Sequence, residues 1–117
     1  MGRNVSDYSI VTDRNIEIDV NGSDDVRMNV KLRKGVILSL NSILSFVIRE
    51  TRGLRLRVDV NNQAVFEENL VDGNFERTIQ EVFPARVFDR VENEVTFTAI
   101  RGRGVFSDIV LTYRRKS

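Results

Sequence analysis

Apolar and polar residues alternate along most of this chain. From Leu54 to Val60, the apolar Leu54, Leu56, Val58 and Val60 are separated by Arg55, Arg57 and Asp59, the period of a strand with one dry face and one wet face. Asn61-Asn62 follows, two residues that tolerate positive φ, and the chain returns through Gln63 to Phe66. The stretch therefore reads as a β-hairpin closed by a two-residue turn, with Val58 opposite Val65. Ile16 to Val20 and Val26 to Leu32 alternate in the same way around the turn formers Asn21 to Asp25, which predicts a second hairpin.

Between Val36 and Thr51 two periods compete. Leu40, Ile43, Leu44, Val47 and Ile48 fall on one helical face, whereas Val36, Leu38 and Leu40 alternate and Ile43 to Ile48 is rich in β formers. With hairpins on both sides the reading is two buried strands, broken at Asn41-Ser42. Residues 67–74 read as a loop, and Phe75 to Phe83 as a strand stopped by Pro84. Ala85 to Phe88 reads as an irregular turn that tucks Val87 and Phe88 inward, followed by a polar connection from Asp89 to Glu94. Val95, Phe97 and Ala99 alternate with Thr96 and Thr98 in a further strand, Arg101 to Gly104 reads as a turn, and Phe106 to Tyr113 as the last strand. Its centre, Ile109 to Leu111, is apolar on both faces and so belongs in the middle of a sheet. Residues 1–14 read as an arm or edge strand, 15–114 as one domain and 115–117 as a solvated tail. About eight closely spaced strands without a crossover helix predict an all-β fold, an antiparallel β-sandwich of jelly-roll topology.

Composition narrows the chemistry. A chain of 117 residues suits one domain with its own core. No apolar run approaches the ~20 residues that cross a bilayer, so no membrane span is expected. The start, Met1 to Tyr8, lacks the apolar core of a signal peptide; Gly2 and Ser6 fit an acylation pattern, but no polybasic stretch follows. The sequence has no Cys and no His, which removes disulfides, thiolate sites, the commonest general base and the commonest transition-metal ligand. No catalytic residue, cofactor or metal is therefore expected. Net charge is +1, from eighteen basic and seventeen acidic side chains, without the basic footprint of a nucleic-acid binder. Fifteen of the eighteen are Arg, the side chain suited to bidentate pairing with carboxylate or phosphate.

Several short motifs approach known chemistry and then depart from it. Asp19, Asn21 and Ser23 offer hard oxygen atoms at alternate positions, as a calcium loop does, but Val30 stands where the closing Glu belongs; the stretch reads as a hairpin loop. Gly102 and Gly104 lack the third glycine and the helix of a dinucleotide loop, and read as turn glycines. Arg55 and Arg57 face away from Leu54 and Leu56, beside Glu67 and Glu68, and predict cross-strand charge pairing.

From Leu54 onward the chain resembles the galactose-binding-like jelly rolls, the sandwich of many carbohydrate-binding modules. The carrying residues are Val58-Asp-Val-Asn-Asn-Gln63, Phe83-Pro-Ala-Arg-Val-Phe88, Glu92-Asn-Glu-Val-Thr-Phe97 and Ser107-Asp-Ile-Val-Leu-Thr-Tyr113. Asn62 stands where that family has a turn glycine, and the sequence has no Trp to supply a sugar-stacking platform. The resemblance implies a non-catalytic binding module for carbohydrate; the capacity of Arg and Asn side chains at loops and on the concave face for bidentate hydrogen bonding makes Arg49, Arg52, Asn62, Arg101 and Arg103 the candidate ligand-binding residues. The alternative is a structural or assembly protein that contacts a protein partner, or further copies of itself, through sheet edges or faces.

Overall fold

The computed structural model describes residues 3–89 and 91–117. Seven strands follow one another: β1 (Asn4–Thr12), β2 (Ile16–Asp19), β3 (Asp25–Lys31), β4 (Asn41–Val60), β5 (Gln63–Asn69), β6 (Arg77–Pro84) and β7 (Glu92–Lys116). A single 3-10 turn at Ala85–Val87 precedes β7. Met1 and Gly2, where the acylation pattern begins, lie outside the described residues.

Two of these strands are longer than the molecule can hold straight. At ~3.3 Å per residue a strand of β7's length would reach about 80 Å, yet the longest dimension is 51 Å. Both β4 and β7 therefore bend, and they bend together. Gly53 on β4 has φ +57° and Gly102 on β7 has φ +69°, and the register between the strands slips from Arg52 opposite Arg103 to Arg55 opposite Arg101.

Each long strand thereby serves both layers of a sandwich. On one side of the bend the order is β3, β7, β4, β5; on the other, β1 and β2 lie beside β7, followed by β4 and β6. All pairings are antiparallel. The layers meet through aromatic rings: Phe97 pairs in register with Val58, far along β4 from Phe46, so the 5.2 Å between the Phe46 and Phe97 ring centroids is a contact across the core. Phe46 also meets Phe66 and Phe106 edge to face, each at 5.7 Å. Leu44, Leu56, Val58, Val95, Ile109 and Leu111 are among the other side chains buried in this interior. The all-β antiparallel sandwich expected from the alternation is the observed fold, and residues 43–48 are strand, not helix.

Several local expectations are corrected. Ile16 to Val20 and Val26 to Leu32 do not form a hairpin with each other; β2 pairs with residues 103–106 of β7, and β3 with residues 92–98. Alternation demands an antiparallel neighbour, and one long central strand supplies it to β1, β2 and β3 in succession. Residues 36–40 are not a strand, since Val36 makes only an isolated bridge to Arg115, and Asn41-Ser42 opens β4 instead of interrupting it. Arg101 to Gly104 is a bend within β7 and not a chain-reversing turn, because β4 follows it closely on the other side. Asn61 and Asn62 form the expected tight turn with φ of +51° and +67°, the signs of a type I′ turn. A bulge after Val58 leaves Val65 as the extra residue, so Val58 faces Phe66 and not Val65. Asn61 also ties the turn to the rest of the fold: its Nδ2 donates to Val87 O at 3.0 Å and to Asn93 Oδ1 at 2.6 Å, and its Oδ1 accepts from Glu94 N at 2.9 Å.

Among the described residues no helix is long and apolar enough to cross a membrane.

Candidate functional site

Two bulges on facing strands turn a pair of charged side chains toward one spot. On β4, Ile48 is opposite Phe106 and Glu50 is opposite Val105, which leaves Arg49 as the extra residue. On β7, Ser107 is opposite Val47 and Val110 is opposite Ser45. Within that gap Asp108 takes φ +52°, a left-handed conformation that Asp tolerates better than most side chains. Bulges re-aim side chains in this way. Arg49 Nε donates to Ser107 Oγ at 2.8 Å and its Nη2 to Asp108 Oδ2 at 3.3 Å, while Ser107 Oγ donates to the same Asp108 oxygen at 3.0 Å. The remaining arm of the guanidinium, Nη1, donates to Glu76 Oε1.

Glu76 lies just ahead of β6, and its neighbours extend the cluster. Arg77 Nη2 donates to Thr51 Oγ1 at 2.9 Å, and the fully buried Thr51 in turn donates to Val71 O at 2.6 Å. The Arg77 guanidinium carbon stands 5.2 Å from the centroid of the Phe75 ring, within cation–π range. Phe75 is 60% exposed, while Phe46, Phe66, Phe83, Phe88, Phe97 and Phe106 are buried. Arg77 Nε is buried with no hydrogen-bond partner among the described residues.

The outer face of β1, β7, β4 and β6 continues away from this cluster. Residues opposite each other in antiparallel strands share a face, so Ile10, Val110, Ser45 and Gln80 form one row and Tyr8, Thr112, Ile43 and Val82 the next. Tyr8, Ile10 and Val82 are exposed. The second tyrosine, Tyr113, is interior: its hydroxyl lies 2.9 Å from Ser9 Oγ and accepts from Arg33 N at 2.9 Å.

The residues singled out from the sequence are dispersed around this geometry. Arg49 is inside the cluster. Arg52 and Arg103 face each other at the bend, both exposed, and Arg101 faces Arg55 and donates to Asn69 Oδ1 at 2.8 Å. Asn62 is exposed at the tip of the β4–β5 hairpin, at the opposite end of β4's second half from the bend, and joins none of them. Phe75, Glu76, Arg77 and Asp108 were not singled out. Asp108 had a visible signal, as the charged residue inside the apolar run Phe106 to Leu111; Phe75 had none, because Phe is an ordinary core residue.

The other motifs are absorbed by local structure. Asp19 Oδ1 accepts from Asn21 N at 2.9 Å and Asp19 N donates to Ser23 O at 2.8 Å, so this carboxylate closes the β2–β3 turn. Among the described residues no group of three or more acidic side chains is set to hold a metal. Arg55 pairs across the hairpin with Glu67 at 2.8 Å and Arg57 pairs along its own strand with Asp59 at 2.9 Å; hydrogen bonding to Asp59 raises the Arg57 pKa.

No protein-family model matches the chain, and no curated protein matches it. Solved structures do. A family 35 carbohydrate-binding module from Clostridium thermocellum superposes with a TM-score of 0.54 at 16% identity, over 91% of this chain and 97% of that one. A family 4 carbohydrate-binding module gives 0.55 at 14% identity, over 96% of this chain and 77% of its own. A β-porphyranase of glycoside hydrolase family 86 from the human gut bacterium Bacteroides plebeius gives 0.71 at 16% identity over 99% of this chain, which spans only 21% of that enzyme. The fold is thus that of the carbohydrate-binding-module sandwiches, as the sequence resemblance implied.

Proposed function

We propose that this chain is a non-catalytic carbohydrate-binding module, with its glycan lying along the outer face of β1, β7, β4 and β6. The observation that carries this reading is the exposed Phe75 ring set against Arg77, one residue before the Glu76 that pairs with Arg49. A pyranose presents an apolar C–H face and a rim of hydroxyls. A flat ring suits the first, and charged donors and acceptors fixed by one another suit the second. The exposed Tyr8 farther along the face offers a second ring to a longer chain. The likeness in fold to carbohydrate-binding modules supports the same reading. The sequence has no His or Cys, and Glu76 and Asp108 are both engaged with Arg49; that arrangement favours binding over acid–base chemistry.

The test is a glycan array followed by calorimetry on the pure protein. Binding of an oligosaccharide that is clearly weakened by Phe75→Ala supports the reading. Silence across the array and in calorimetry at millimolar sugar sinks it.

A second reading rests on Tyr8, Ile10 and Val82, which make the same face partly apolar and suited to a protein partner or a second copy. Light scattering decides the self-association arm: a clean monomer at high concentration removes it, and a dimer broken by Ile10→Ser supports it.

A further inference from the structure

The bend gathers four arginines, three of which form no salt bridge among the described residues. Arg52 is opposite Arg103 and Arg55 is opposite Arg101, and like charges directly across an antiparallel pair disfavour the pairing. Several other strand arginines are matched with acids: Arg57 with Asp59, Arg49 with Asp108, Arg115 with Asp7. At the bend Arg55 has Glu67, but Arg101 bonds only the neutral amide of Asn69. Among the described residues, Arg52, Arg101 and Arg103 make no salt bridge.

Carboxylates do stand nearby. Glu17, Asp19 and Glu50 line a groove with Arg103 on the β2 side, where Asp19 is the cross-strand partner of Arg103 but forms no salt bridge with it and accepts from Asn21 N instead; Asp72 Oδ1 accepts from Gly53 N at 2.7 Å. The side carrying Arg52 and Gly53 is open: a Cβ built on Gly53 meets nothing within 4 Å. Room for a ligand therefore exists beside the arginines that form no salt bridge.

We propose that this elbow is an anion-binding site for the sulfate ester or carboxylate groups of an acidic polysaccharide. A guanidinium is planar, weakly hydrated and offers two parallel N–H groups to two oxygens of one anion. Facing guanidiniums on neighbouring strands can take the closely spaced anions of a polymer, which removes the repulsion between them on binding. Arg52 follows Arg49 on β4, so a glycan lying on the outer face reaches the elbow at its end. A polysaccharide is favoured over a nucleic acid because net charge is only +1, short of the electrostatic footprint that a nucleic-acid binder carries. The inference rests on the carbohydrate reading above and names the class of glycan.

Native gels carrying dextran sulfate, polygalacturonate or uncharged dextran test it on the whole chain at low and high salt. Retardation by dextran sulfate assigns a sulfate ester, and by polygalacturonate a carboxylate. Either should weaken by about tenfold or more in the Arg52→Gln/Arg103→Gln double variant and with added salt. Arg86→Gln, at an exposed arginine outside the elbow, should leave it unchanged, and melting curves should show all variants folded. If neither polyanion retards the protein while a neutral glycan still binds in a Phe75-dependent way, the elbow site is wrong and the carbohydrate reading survives. If nothing binds, both fall. Polyanion binding indifferent to the double variant, or an oligothymidylate held as tightly as dextran sulfate, also overturns the proposal.

Discussion

Gly102 passes β4 so closely that a Cβ on it would lie 2.2 Å from the carbonyl oxygen of Arg52 and 2.4 Å from the carbonyl carbon of Gly53. These are backbone atoms on the neighbouring strand and cannot swing aside, and Gly102 also holds φ +69°. Gly102→Ala therefore combines a left-handed penalty of about 1–2 kcal/mol with a steric clash. A total loss of about 3 kcal/mol or more is expected, read by urea denaturation. A loss under about 1 kcal/mol would show that the strands separate freely at the bend.

Phe46 joins the layers by touching Phe66, Phe97 and Phe106. Phe46→Ala is expected to cost about 3–5 kcal/mol, the range for emptying an aromatic from a closed core. Equilibrium denaturation checks this, and a loss near that of a surface change would mean the two layers do not close on this ring.

Asp108 separates backbone strain from its ion pair. Asp108→Gly and Asp108→Ala both remove the carboxylate that Arg49 and Ser107 bond, but only Gly relieves φ +52°. The Ala variant should be less stable than the Gly variant by about 1 kcal/mol. Equal midpoints in denaturant would mean the strand straightens once the carboxylate is gone.

Asp7 ties the edge strand β1 to the sheet through Arg115 at 2.6 Å and Arg33 at 3.3 Å. The hydrogen bond from Arg115, then that from Tyr8 N, with the positive charges beside it, hold its pKa below the usual carboxylate value. A carboxyl whose folded pKa is lowered stabilises the fold above its unfolded value of about 3.9, and that stabilisation is lost as pH falls through the folded value. The parent should therefore lose more stability than Asp7→Asn between pH 6 and acid pH. Parallel pH profiles for the two proteins would remove Asp7 from the account.

Phe75→Ala should weaken any bound oligosaccharide by about tenfold, the scale of a lost aromatic contact, with little change in melting temperature because the ring is mostly exposed. A variant that melts at a lower temperature but binds normally would make Phe75 a structural residue packed on Arg77.

Much of this was legible in the chain. The alternation of Leu54 to Val60, the doubly apolar centre of the last strand and the Asn61-Asn62 turn are local properties, since side-chain period and φ tolerance belong to each residue in place. The partner of a strand is not such a property. Ile16 to Val20 and Val26 to Leu32 satisfy the same alternation whether they pair with each other or with β7, and nothing within either segment distinguishes the two. The glycines of Arg101 to Gly104 announced a departure from straight strand, yet a turn and a bend ask the same conformation of Gly102.

The candidate site divides in the same way. Arg49 was identifiable as an arginine with a part to play, but its partners Glu76, Ser107 and Asp108 come from two distant places in the chain, brought together by bulges that arise only when β4 and β7 lie side by side. By itself the order of residues determined an all-β sandwich, most of its buried side chains and one hairpin, because burial largely follows from apolar spacing. The tertiary structure alone decided that β4 and β7 each run through both layers, that Phe75 stays outside, and that arginines meet at the bend, because those outcomes depend on which strand lies next to which.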